Sequence, residues 1–361
     1  MSGTWQLMLG DCVEALDTMA DQSVHCSVSS PPYLALRDYD GVEATDWPEI
    51  TYVPIVGLEA VTVPAQRVCL GHETDPLAFV AHLVHVYRKV HRVLRDDGTT
   101  WINLGDTYAT SGGKDDCGFA RTPAAWRQHK KLRRPGGIRR KNAMMIPERL
   151  MLALQADGWI ARMPIIWRKS SAMPESVEDR PGRAHEHILL LTKTSRYHYS
   201  PDAVTKPLSP KTATTWGTTR RLSGGGNRVK AANWGRRAQE RTPRLDERGE
   251  VAGARLRSVW DIAAQPRTGE GHYAAFPDEL AARCILLGCP LDGIVLDPFA
   301  GRGTTGVVAR RLGRSFVGIE ASPTYAALAR RNLRNDRPLL APSEESPPSE
   351  IQGSLFDGGE G

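Results

Sequence analysis

The clearest chemistry in the sequence lies in two short stretches far apart in the chain. Near the carboxyl end, the apolar run Ile294-Val295-Leu296-Asp297 leads into Pro298-Phe299-Ala300-Gly301-Arg302-Gly303-Thr304-Thr305-Gly306. A buried strand, a glycine turn and a helix start are expected there, and glycines let the backbone approach a ligand at the carboxyl edge of a sheet. Glu320 follows 19 residues after Gly301, at the end of the next predicted strand, where a carboxylate can accept hydrogen bonds from both hydroxyls of a ribose. Taken alone, Gly301-x-Gly303-x-x-Gly306 suits a nicotinamide dinucleotide as well as S-adenosylmethionine. Near the amino end, Ser30-Pro31-Pro32-Tyr33 stops a strand with two prolines and leaves a hydroxyl and an aromatic ring at its tip. By itself that is only a proline turn.

The elements that must position these groups follow from periodicity. Trp5 to Leu9 and Val24 to Val28 read as strands flanking a short amphipathic helix from Cys12 to Met19. Asp40 to Glu73 shows no clear period and is expected to be a long loop or insertion. Leu77, Val80, Ala81, Val84 and Val90 have helical spacing, Asp97-Gly98 closes that element, and Thr99 to Leu104 reads as a strand. Pro147 opens a helix to Ala156, and Ile160 to Trp167 and His187 to Thr192 are two further strands. The last third reads as helix (Asp278 to Leu287), strand (Gly293 to Asp297), helix (Thr304 to Leu312), strand (Ser315 to Glu320) and helix (Pro323 to Leu333). From Pro338 on, the Pro, Ser, Glu and Gly content predicts disorder.

Composition narrows the partners. The 361 residues carry a formal charge of +6, but Thr110 to Lys141 holds 10 Lys/Arg against 2 Asp/Glu, and Ser195 to Ser258 holds 14 against 5. These two segments, poor in periodic apolar residues, have nets of +8 and +9, leaving −11 for the rest. With Trp126, Trp216 and Trp234 among the arginines, they favour a polyanion, because phosphates need cations and bases need planar groups to stack on. No apolar stretch approaches the roughly 18 residues of a membrane span, and no signal-peptide core is present, so a cytoplasmic protein is expected. The six cysteines contain no C-x-x-C pair and read as reduced thiols, and His82, His85 and His91 lack a partnering carboxylate pattern, so no metal is expected.

The order of these features is informative. Only one strand and one helix follow the glycine motif before the tail, too few to complete a doubly wound sheet, so the other strands must come from earlier sequence. Phe299-Ala300-Gly301-Arg302-Gly303 resembles the F-x-G-x-G cofactor motif of the amino-methylating DNA methyltransferases, and Ser30-Pro31-Pro32-Tyr33 resembles their catalytic [S/D/N]-P-P-[Y/F/W] motif. Catalytic motif first, basic insert next and cofactor motif last is similar to their beta class. Gly10-Asp11-Cys12-x-Glu14-x-Leu16, Trp101 to Tyr108, Asp179-Arg180-Pro181 with His185-Glu186, and His272 to Pro277 agree with it.

The resemblance implies a circularly permuted α/β methyltransferase sheet flanked by helices, using S-adenosylmethionine. It implies a catalytic half at 1–194 carrying a basic insert at 110–141, a target-recognition region at 195–258, a cofactor half at 259–337 and an acidic tail at 338–361. Asp11 would face the adenine amine, Asp297, Phe299, Gly301, Gly303 and Thr304 the methionine end, and Glu320 the ribose, with Phe276 and Pro277 shaping the pocket. Arg302 departs from the small residue usual there and could reach a carboxylate or a phosphate. Arg133, Arg134, Arg139, Arg220, Arg221, Arg236 and Arg237 would contact double-stranded DNA.

An exocyclic amine is a poor nucleophile because its lone pair is delocalised into the base. The Ser30 hydroxyl and the Pro31 carbonyl can accept its two hydrogens and turn the lone pair toward the methyl donor, Pro32 stiffens the turn, and Tyr33 offers a face for an extruded base. Asp106 and Thr107 are candidates for the same sheet edge or for a loop cap, and Arg180, His185 and Glu186 are read as loop ties. C5-cytosine methylation needs a Pro-Cys nucleophile that is absent, and the motif order argues against protein-glutamine methylation. Serine in the first motif position points to cytosine N4, with adenine N6 second; a silent DNA-binding scaffold and a nicotinamide oxidoreductase are the remoter alternatives. Gln352, Leu355 and Phe356 resemble the Q-x-x-L-F peptides that dock on bacterial sliding clamps, and a cognate restriction endonuclease is a further possible partner.

Overall fold

The computed structural model describes residues 3–34, 41–109, 138–172, 174–206, 254–264 and 276–336. An eight-stranded sheet organises the larger of two compact units, which spans 1–199 and 258–361. Its strands are β1 (Trp5–Leu9), β2 (Val24–Ser29), β7 (Leu94–Leu104), β8 (Ile160–Lys169), β9 (His185–Thr192), β12 (Val259–Ile262), β13 (Ile294–Asp297) and β14 (Ser315–Glu320). They lie in the order β1-β14-β13-β2-β7-β9-β8-β12, all neighbours parallel except where β9 runs against β7 and β8. The last two strands of the chain thus enter between its first two. β2 and β13 are almost wholly buried, as expected of central parallel strands covered on both faces.

Six helices among the described residues accompany the sheet: α1 (Cys12–Asp17), α2 (Pro76–Val93), α3 (Ile146–Ala156), α4 (Asp278–Gly288), α5 (Thr304–Arg311) and α6 (Pro323–Asn335). α2 starts where the Asp75 side chain accepts from Leu77 N at 2.9 Å and Pro76 takes a first-turn position that needs no N–H donor. It buries Phe79, Val80, Leu83, Val84, Val86, Tyr87 and Val90 in the main core. Cys12, Cys26, Cys69, Cys284 and Cys289 form no disulfide among the described residues, and no described helix is long and apolar enough to cross a membrane.

Two expectations are corrected. The stretch from 40 to 73 is not an irregular insertion: β3 (Thr45–Trp47) pairs with β6 (Gln66–Val68), and β4 (Ile50–Tyr52) with β5 (Val61–Val63). Trp47, Ile50, Tyr52 and Val63 are buried in the main core, so these short pairs cover part of it, and strands of three residues are too brief for alternation to register. Asp97-Gly98 does not separate helix from strand either, since β7 starts at Leu94. The Gly98 Cα faces Leu94 Cδ1 and His25 O so closely that an added Cβ would sit 2.7 and 2.9 Å from them. β12 has no counterpart among the sequence expectations. The smaller unit, 200–257, contains the antiparallel pair β10 (Thr205–Lys206) and β11 (Ala254–Arg255), with Arg255 Nε 3.3 Å from Asp202 Oδ1.

Candidate active site

Because β9 is antiparallel, its first residues share an edge of the sheet with the last residues of β1, β2, β7, β8, β13 and β14. Asp11, Ser30, Asp106, Lys169, Glu186, Asp297 and Glu320 therefore collect along that edge, the place where open α/β sheets bind ligands.

At its centre is the turn after β2. Pro31 is buried and Ser30, Pro32 and Tyr33 are half-buried. The Tyr33 hydroxyl donates to Glu186 Oε2 at 2.7 Å, and Asn103 Nδ2 donates to the same carboxylate oxygen and to the Tyr33 oxygen, both at 2.9 Å. Asn103 Nδ2 also lies 3.5 Å from Ser30 Oγ. The Lys169 ammonium forms an ion pair with Glu186 Oε1 and lies 4.8 Å from the centre of the Trp167 ring. Burial alone would raise the Glu186 pKa, but Lys169 and the hydrogen bonds from Tyr33 and Asn103 outweigh it and hold the carboxyl below its ordinary value. Glu186 is thus not a loop tie: it fixes the Tyr33 ring. Gly105 lies against that ring, where an added Cβ would be 2.7 Å from Tyr33 Cε2.

A second support comes from residues 66–82. Gly71, at φ +93°, packs beneath the turn, and a Cβ there would lie 3.0 Å from Tyr33 O and 3.2 Å from Pro32 Cβ. Its N–H donates to Glu73 Oε2 at 2.8 Å, while Glu73 Oε1 is 2.6 Å from His82 Nδ1. Both side chains are fully buried, and the His82 ring stacks on Trp47 at 4.1 Å between centroids. His82 therefore does have a carboxylate partner, nine residues back in sequence and outside any helical spacing. Among the described residues no group of His, Cys, Asp and Glu could hold a metal.

On the other side of β2, the glycine turn joins β13 to α5. Asp297 Oδ1 accepts from Phe299 N at 3.0 Å and Oδ2 from Thr305 Oγ1 at 2.6 Å, so this carboxyl builds the turn itself. Burial pushes its pKa up to about 7; the two hydrogen bonds work against that rise, and nearby Glu320 adds to it. Gly301 and Gly303 have φ of +53° and +79°, values that favour glycine. Glu320 Oε2 accepts from Gly301 N at 2.7 Å and Oε1 from Ser322 N at 2.8 Å, and burial raises this carboxyl too. Asp11 caps α1, accepting from Val13 N at 2.7 Å, and its second oxygen accepts from Thr45 Oγ1 at 2.8 Å; β1 pairs with β14 so that Leu9 faces Glu320. Phe276 and Pro277 are buried at the start of α4, and Phe299 is partly buried.

Asp106 proves to be a cap: its carboxylate accepts from Met145 N at 3.1 Å and Ile146 N at 3.0 Å at the start of α3. With Tyr108, Met145, Glu148, Arg183, His185 and His187 it lines a cleft of about 280 Å³. The Tyr108 ring is flanked by Arg180 at 4.1 Å and Arg183 at 5.1 Å. Arg139 is exposed, and its carbonyl accepts from Asn142 Nδ2 at 2.8 Å. Arg133, Arg134, Arg220, Arg221, Arg236, Arg237, Gln352, Leu355 and Phe356 lie outside the described residues.

A mixed sheet with a glycine turn and a buried carboxylate on neighbouring strands, beside a proline-stiffened turn, is the arrangement expected of an S-adenosylmethionine-dependent methyltransferase. Residues 24–331 match the N6/N4 methyltransferase family described as DNA methylase, and the chain belongs to it. It is 34% identical over 337 residues, 92% of this chain and 91% of the relative, to the type II methyltransferase M.SmaI of Serratia marcescens. The fold is shared with the cytosine-N4-specific PvuII DNA methyltransferase (15% identity, 93% and 89% of the two chains, TM-score 0.56). It is also shared with a DNA modification methylase of Thermus thermophilus complexed with S-adenosyl-L-methionine (23%, 92% and 94%, TM-score 0.50). The chain is a DNA methyltransferase, of a family whose methyl donor is S-adenosylmethionine. The residues present fit that cofactor: besides the carboxylates, the turn offers buried Thr304 Oγ1 and Arg302 Nε and Nη1, none with a partner among the described residues.

Proposed function

We propose that the chain methylates cytosine N4 at a specific site in double-stranded DNA and belongs to the beta class of its family. The observation that carries this reading is Ser30 itself. It is a half-buried side chain at the tip of β2 whose hydroxyl accepts, among the described residues, one long 3.5 Å hydrogen bond from Asn103, and so keeps acceptor capacity for an incoming amine. S-adenosylmethionine supplies an electrophilic methyl group. Glu320 holds ribose hydroxyls, Asp11 the adenine amine, and the turn from Asp297 to Thr304, with Phe276 and Pro277 beside it, the methionine end. Ser30 and the Pro31 carbonyl draw the base amine toward tetrahedral geometry, and Tyr33, locked by Glu186, gives the extruded base a fixed face to stack on.

Residues 195–258 select the sequence, and 110–141 bind phosphates. Deleting most of 195–258 removes site preference while S-adenosylmethionine still binds; retained site preference would refute that assignment. Similarity to type II methyltransferases supports a cognate restriction endonuclease as genomic partner. Gln352, Leu355 and Phe356 tether the enzyme to a sliding clamp, tested by binding of a 347–361 peptide and its loss when both apolar residues become alanine. The deciding experiment for the reaction is mass spectrometry of nucleosides from treated DNA. N4-methylcytosine is expected; N6-methyladenine alone would move the reading to adenine.

A further inference from the structure

Asn103 is the penultimate residue of β7 and only 3% exposed. Its amide orientation is fixed by chemistry: the atom 2.9 Å from Glu186 faces an ionised carboxylate that can only accept, so it must be the NH2 group. The two hydrogens of Nδ2 are then used by Glu186 and the Tyr33 oxygen. The amide plane cannot flip without setting oxygen against oxygen. Oδ1 is consequently held in one direction, is buried, and has no hydrogen-bond partner among the described residues. A buried amide oxygen without a donor is costly, and such a group calls for a partner: an ordered water, an ion or a ligand. Oδ1 belongs to the same planar group as the nitrogen 3.5 Å from Ser30 Oγ, which keeps it within about a base's width of that hydroxyl.

We infer that Asn103 is a catalytic residue whose Oδ1 shares with the Pro31 carbonyl, as a three-centre acceptor, one hydrogen of the target base's exocyclic amine while Ser30 Oγ accepts the other. The inference rests on the amino-methylating reading above. An amine held at both hydrogens by fixed acceptors has its lone pair out of the ring plane when the N–C bond forms and the C–S bond breaks, the bonding pair leaving on sulfur. The proton shed by the methylated nitrogen goes to solvent, since an amide oxygen is too weak a base to keep it. Lys169 and Glu186 act through Asn103 as positioning residues.

The test compares Asn103→Leu, which keeps the volume and loses the oxygen, with Asn103→Asp, which keeps an oxygen at the Oδ1 place and can share one proton with Glu186. Three quantities are read: the single-turnover methylation rate of the full-length protein on its DNA site, S-adenosylmethionine affinity by calorimetry, and extrusion of a 2-aminopurine placed at the target position. Asn103→Leu is expected to lose about 100-fold in rate, as for one removed transition-state hydrogen bond, with affinity and extrusion within about 2-fold. Asn103→Asp should stay within about 10-fold of the parent rate. Tyr33→Phe, which cuts the tie and spares Oδ1, should lose distinctly less than Asn103→Leu. A Leu variant within about 3-fold of the parent rate overturns the inference, as do equal losses in Tyr33→Phe or a loss residing in cofactor affinity. Should the Leu variant not fold, a folded, cofactor-binding Asp variant slowed more than about 100-fold also overturns it. Nucleoside analysis of the parent reaction separates this outcome from an error in the assigned base.

Discussion

Replacing Glu73 by alanine should injure both the fold and the chemistry, through a chain of contacts short enough to follow atom by atom. Glu73 and His82 have no side-chain exposure, and the change leaves His82 Nδ1 and the Gly71 N–H without their acceptors in a dry interior. Removing one partner of such a buried pair costs about 3 to 5 kcal/mol, a large share of the roughly 5 to 15 kcal/mol by which a domain is stable. For a unit of this size that corresponds to a melting temperature lower by roughly 10 °C. Gly71, released, no longer seats the Pro32-Tyr33 backbone, so single-turnover methylation should fall at a temperature where the variant is still folded. Glu73→Gln retains one oxygen for Gly71 N and should lose about half as much stability. Urea unfolding gives the stability term and a rapid-quench assay the rate. A loss below about 1 kcal/mol would show that the pair is not a strut, and full stability loss with an unchanged rate would disconnect it from the catalytic turn.

Three further outcomes are expected. Ser30→Ala should lower the methylation rate by about 10- to 100-fold while calorimetry finds S-adenosylmethionine affinity within about 2-fold, and an unaltered rate would remove Ser30 from the acceptor pair. Glu320→Ala should weaken cofactor binding by about 10-fold or more, since it loses the proposed ribose acceptor and also frees the Gly301 N–H; equal affinity would exclude that contact. Asp297 titrates at about 7 when folded against an ordinary 3.8, so between those values the folded chain keeps a proton that the unfolded chain has released. Raising the pH through that window should therefore destabilise the cofactor-free fold, by on the order of 4 kcal/mol at most, and the trend should level off above about pH 7. Asp297→Asn should flatten that part of the stability profile, and an unchanged profile would assign the dependence to other groups.

The parts of this protein that can be read from its sequence are those whose signal is local. β13, the glycine turn and α5 are contiguous, and β14 lies in the expected place to the residue because the buried run Phe316 to Ile319 is flanked by Ser315 and Glu320 and bounded by Gly313 and Pro323. The Asp106 cap is likewise visible as a polar residue after a strand, though its partner helix lies 40 residues on. What stays hidden depends on long-range pairing. Glu186 reaches Tyr33 across 153 residues and Asn103 across 83, and only the reversal of β9 brings it to the carboxyl edge. Reversal of one strand in a sheet leaves no periodic trace, since a buried strand reads alike in both directions. The His185-Glu186-His187 start of β9 is nevertheless a usable signal: three polar residues entering a run as apolar as Ile188 to Leu191 need a reason to be there.

That reason bears on how the site divides its work. Two carboxylates beside the glycine turn, Asp297 and Glu320, are pushed upward by burial and satisfied mainly by backbone N–H groups and a hydroxyl. Glu186, beside the turn after β2, is pulled downward by Lys169 against the effect of its burial. A firmly ionised Glu186 can only accept, which forces both Tyr33 and Asn103 to donate toward it and so turns their remaining acceptor atoms to other partners. Were Glu186 neutral, its own proton would compete with the Tyr33 hydroxyl and the Asn103 amide could rotate. The Lys169–Glu186 pair therefore directs the Tyr33 hydroxyl and the Asn103 amide to donate toward the carboxylate, and the turn after β2 is built around a buried anion that consumes donors.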